Sequence, residues 1–163
     1  MRYGIRNSAG QAGARTYRPM PGLQFTEVRL AISRFADLLE EARRQSEPQR
    51  LLFVFTRAEL PDNPTAEQHR RFEQGEGGVL TPVLCVDKSP EELSDMAALE
   101  EESQRTGIEW DIVFVGALSG SGGEAVADDA VERQLQRMVE ALQMGNTQSF
   151  LALNRQGEAV ALQ

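Results

Sequence analysis

Along the chain, apolar positions fall into blocks of two different periods. Phe35, Leu38, Leu39 and Ala42 recur at i, i+3, i+4 and i+7 after Ser33, which predicts a helix capped by that serine. The run LLFVF (51–55) is wholly apolar, as expected of a strand covered on both faces. Thr65 and Gln68 have the spacing of a capping box for a short helix with few apolar residues, stopped by Gly75, Gly77 and Gly78. VLTPVLCV (79–86) reads as a second strand. Pro82 cannot donate to a ladder, so that end is expected at an edge or a bulge.

The second half repeats the alternation. Ser89, Pro90 and Glu92 suit the N-cap, N1 and N3 positions of a helix with Leu93, Met96 and Ala97 inward and Glu100, Glu101 and Glu102 toward water. WDIVFVGAL (110–118) predicts a third strand. After the loop SGSGGEAVA, Val131, Leu135, Met138, Val139 and Leu142 hold one face of the most strongly patterned helix, and Gly145 stops it. SFLAL and EAVAL around NRQG predict a closing antiparallel hairpin. Strands separated by helices imply crossovers and hence parallel pairing. The expected fold is therefore α/β, with a mixed, mainly parallel four- to five-stranded sheet, packed helices and an antiparallel C-terminal hairpin.

The first 24 residues lack a sustained period and carry four glycines and two prolines, which predicts a flexible basic arm ahead of a single α/β domain over 25–163. Residues 1–30 hold five arginines against Glu27, leaving 12 basic and 24 acidic residues in the remainder. A body so acidic repels nucleic acid and anionic lipid, so neither is expected as a partner. No apolar run approaches the length of a membrane span. No apolar segment follows Arg2 and Arg6, so no secretory signal is expected, and the one cysteine fits a reducing, cytoplasmic setting.

Candidate chemistry is sparse. In a strand, Cys85 and Asp87 share one face while Val86 and Lys88 share the other, which separates the thiol from the only lysine. Cys85 among Val83, Leu84 and Val86 reads as a small buried hydrophobe. Lys88 just before a helix N-terminus gains nothing from the dipole and is expected to face water. His69 and Glu73 could supply two metal ligands, but no third is evident and no HExxH is present, so no metal is expected. GSGGEA (120–125) fits a dinucleotide fingerprint only formally. Three residues part it from the strand, and Glu124, Asp128 and Asp129 would repel a pyrophosphate. No cofactor and no catalytic residue is expected. If the strands are parallel, Arg57, Asp87 and Ser119 converge at their carboxyl ends, where open α/β sheets bind ligands, and Arg57 could hold an anion there.

The stretches FADLLEEARRQSEPQRLLFVFTRAELP, FEQGEGG, PVLCVDKSPEEL, DIVFVGALSG, LQRMVEAL and NRQGEAV resemble a group of small bacterial proteins labelled ribonucleotide reductase subunit alpha. The resemblance covers about residues 33–163 and brings no catalytic residues with it. Ribonucleotide reduction needs a radical-bearing cysteine and a reducing cysteine pair, which one cysteine cannot supply. The expectation is a non-enzymatic accessory or interaction domain with a protein partner or a second copy of itself. The alternative is an anionic-ligand binder or enzyme at the strand ends.

Overall fold

A computed structural model describes residues 2–4, 33–74 and 78–162. The main sheet is built from β2 (Gln49–Glu59), β3 (Val79–Lys88), β4 (Ile112–Ser119) and β5 (Leu151–Leu153), with β1 (Arg2–Gly4) added at one edge. The helices are α1 (Phe35–Arg43), α2 (Ala66–Glu73), α3 (Met96–Gln104) and α4 (Asp128–Gln143), with a 3-10 turn at Pro90–Glu92. Apart from Arg2–Gly4, the arm expected over residues 1–24 lies outside the described residues.

The strand order is β1-β3-β2-β4-β5, and every adjacent pair is antiparallel. This corrects the expectation of a mainly parallel sheet, and the polarity of α2 supplies the physical reason. A parallel crossover helix must bury a face on the sheet, and α2 buries none of its residues. The β2–β3 connection is therefore an elaborated hairpin. The β3–α3–β4 connection does return a parallel strand, since β3 and β4 are each antiparallel to β2, but β2 lies between them. At the C-terminus, Leu153 bridges Ala159 and Val160 N donates to Ala152 O at 2.9 Å, as the predicted hairpin requires.

Alternation along β2 divides the core. Leu51, Phe53 and Phe55 pack with Phe35, Leu38 and Leu39 of α1, Met96 and Leu99 of α3, and Trp110. Leu52 and Val54 pack on the opposite face with Cys85, Phe114 and the Val131–Leu135–Met138–Leu142 stripe of α4. The result is three layers, with the apolar run of β2 sealed on both sides. Its register with β3 shifts between Phe55 and Thr56, and Pro82 sits opposite Thr56 at that bulge. The position of Pro82 is as the sequence requires.

Two helix starts differ from expectation. The cap of α1 is Arg34, and Ser33 instead donates its N and Oγ to Asp37 Oδ2, each at 3.1 Å, joined by Arg34 N at 3.1 Å. Ser89 starts only the 3-10 turn. Arg43 Nη2 takes the carbonyls of Leu93 (2.8 Å) and Pro90 (3.3 Å), and the chain restarts as α3 at Asp95, whose Oδ1 accepts from Ala98 N at 2.8 Å.

Candidate functional site

Antiparallel pairing redistributes the residues expected to converge. Asp87 lies opposite Leu52 and Ser119 opposite Gln49, so both sit where β2 begins, whereas Arg57 lies opposite Thr81 near its end. Five residues of strand put Arg57 and Asp87 roughly 16 Å apart along the sheet. Arg57 is half-exposed, and its Nη2 lies 3.9 Å from Glu109 Oε2. Asp87 and Ser119 share an end but face opposite layers, Asp87 beside Cys85 toward α4 and Ser119 toward α1 and α3.

Each acquires a partner that sequence reasoning had not assigned. Asp87 is 3% exposed, and its Oδ2 lies 3.5 Å from Arg50 Nη1. Ser119 Oγ accepts from Gln49 Nε2 at 3.1 Å, and the same amide donates to Glu47 O at 2.7 Å. Glu47 in turn accepts from Gly123 N at 2.9 Å, which ties the glycine-rich loop to the start of β2. That loop is thus a structural turn, and Asp128 and Asp129 open the first turn of α4. The clue to Arg50 was its place directly before LLFVF, at the end that an antiparallel register sets beside Asp87.

Lys88 corrects the expectation of a solvent-facing side chain. It is 7% exposed, and its Nζ lies 2.7 Å from Glu102 Oε2 on α3. Val86 and Lys88 share the face covered by α3, so the ammonium sits at the edge of the core and the carboxylate descends to meet it. A charge so placed is tolerable only when paired. Cys85 is 1% exposed on the other face, among the apolar side chains already named.

Next to the Lys88–Glu102 pair lies a pocket of about 150 Å³ between β3 and α3. Phe55, Leu84, Val86 and Leu99 supply its apolar surface, and Glu102 and Arg105 stand at its rim. Ser103, also in its wall, accepts from the buried Trp110 Nε1 at 2.9 Å and is not free to turn inward.

An exposed helix lies elsewhere. Among the described residues, β2 beyond Thr56 pairs with β3 alone, because β4 begins opposite that residue. This two-stranded ribbon carries α2. Gln68 N donates to Thr65 Oγ1 at 3.1 Å and Thr65 N to Gln68 Oε1 at 2.8 Å, a complete capping box. Phe72 packs against the backbone at Gly78, where a Cβ would meet its ring at 3.0 Å. The rest of α2 faces water, including His69 and Glu73, whose Nδ1 and Oε1 are 3.4 Å apart. Among the described residues no group of three or more His, Cys, Asp or Glu could hold a metal ion, and no helix is long and apolar enough to cross a membrane. Comparison with family models, curated proteins and solved structures returns no match.

Proposed function

We propose that this chain is a non-enzymatic interaction domain of the cytoplasm, contacting a protein partner through the ribbon that carries α2. One observation carries the reading. A helix of eight residues is held by a full capping box and by Phe72, yet none of its residues is buried. Isolated helices of this length are marginal in water, so order without burial points to a surface kept ready for something else. Arg70 and Arg71 stand on it beside Glu67 and Glu73, so the exposed helix offers a polar surface carrying both signs of charge. The resemblance to proteins labelled as a ribonucleotide reductase subunit fits an accessory role. It does not fit reductase catalysis, since the single thiol is sealed in the core.

The test removes the ribbon tip. Residues 61–77 are replaced by an Asn-Gly turn joining β2 to β3, and wild type and variant are used to capture partners from the native host. The variant is expected to stay folded and to lose a partner that wild type holds. Capture of the same proteins by both would overturn the assignment. A shift from dimer to monomer in sedimentation would identify the partner as a second copy of the chain.

A further inference from the structure

The pocket between β3 and α3 has a chemistry of its own, independent of the ribbon. Phe55, Leu84, Val86 and Leu99 give it an apolar wall, and its volume of about 150 Å³ is that of a cavity able to hold one benzene ring. The Ser103 and Thr106 hydroxyls in its wall already donate to Glu100 O and Ser103 O, so its remaining polar character comes from the rim. Glu102 Oε2 is fixed by Lys88 Nζ at 2.7 Å, and the Glu102 side chain is 25% exposed, so a ligand in the pocket can reach the carboxylate. A carboxylate can only accept, and this one is oriented by a buried ammonium before any ligand arrives. The rim cation, Arg105, is already engaged by Glu101 Oε1 at 3.2 Å. An anionic head would therefore meet the Glu102 carboxylate with only the solvent-screened Arg105 guanidinium to offset it.

The geometry points to a binding site for a small aromatic molecule bearing one O–H or N–H donor, of the phenol or indole class. The ring lies against Phe55, Leu84, Val86 and Leu99, and the donor reaches Glu102. This reverses the polarity expected from the sequence, where an anion was to be held by Arg57.

Methyl-resolved NMR titration with phenol, benzene and benzoate tests the inference on the intact chain. Phenol is expected to move the methyls of Leu84, Val86 and Leu99 in a saturable way and to leave Leu52 and Leu135, across the sheet, unchanged. Benzene should move the same methyls with an affinity roughly tenfold lower, the worth of a hydrogen bond to a charged acceptor, and benzoate should bind more weakly than phenol. Leu99→Phe, which fills the pocket, should abolish the phenol shifts. If that variant fails to fold, the wild-type methyl map decides alone. Near-side methyls that stay still at about 10 mM phenol, a concentration that would half-saturate a weak site, would overturn the site. So would equal shifts on both faces. Benzene or benzoate binding as tightly as phenol would overturn the role given to Glu102.

Discussion

Asp37 and Lys88 illustrate how single side chains carry charge in this protein. The backbone N–H of Ser33 is the largest influence holding the Asp37 carboxyl below its ordinary pKa of 3.8; burial opposes it, and the Ser33 hydroxyl and the Arg34 N–H add smaller lowering effects. A depressed carboxylate contributes stability that is complete above its unfolded pKa and is lost as pH falls through the folded one. Asp37→Ala should cost about 0.5–1 kcal/mol at pH 7, the low end for a cap open to water. Urea midpoints of the two proteins should then converge as pH falls below the ordinary carboxylate value. Lys88 and Glu102 should be unequal partners. Glu102→Gln strands an ammonium at the edge of the core, whereas Lys88→Met leaves a carboxylate with a path to water. The first should cost about 2 kcal/mol or more and the second clearly less, by urea unfolding. Cys85 should react slowly with a thiol reagent in the native state and quickly in urea. Rapid native labelling would contradict its place in the core.

At the scale of elements, Gly157 shows how the C-terminal hairpin depends on the helices. It has φ +81°, and a Cβ there would meet Met96 Cγ at 2.8 Å and Phe35 Cβ at 3.2 Å. Gly157→Ala should therefore destabilise by about 1–3 kcal/mol through both strain and crowding, read as a lowered urea midpoint. The elements themselves were legible. Phe35, Leu38, Leu39 and Ala42 form the buried face of α1, and the α4 stripe is buried as its spacing requires. Helix starts were less legible, because serine is a good cap wherever it stands. Arg43, drawing two carbonyls toward the far end of α1, decides where α3 begins. Strand direction was misread for a related reason. A helix between two strands suggests a crossover, but the near absence of apolar residues in α2 argues that it cannot lie on a sheet.

Among the described residues, two cores share one sheet. β2 contributes Leu51, Phe53 and Phe55 to one and Leu52 and Val54 to the other. Loss of either outer layer exposes the same strand, so the two should unfold together. Leu38→Ala and Leu135→Ala, one in each layer, should each cost about 2–5 kcal/mol. Both should move a single transition without changing its steepness in urea. Two separable transitions would show that the layers are independent. The candidate site suffered most from the misread topology. Parallel strands would have gathered Arg57, Asp87 and Ser119, whereas antiparallel ones distribute them over both ends and both faces. The Lys88–Glu102 pair and its pocket depend on α3 crossing to β4 beside the edge of β3, which no local spacing encodes.

The central place of β2 also bears on how the chain is made. Its LLFVF core leaves the ribosome early, but the strand that closes its second edge ends only at Ser119. At about 5–20 residues per second, the interval from Glu59 to Ser119 lasts roughly 3–12 s. A strand destined for burial on both faces then lacks both β3 and β4 as neighbours until β3 is made, and lacks β4 until the end of the interval. A nascent chain halted shortly after β3 should therefore be the form that recruits chaperones. Release of the completed β4 should end that need.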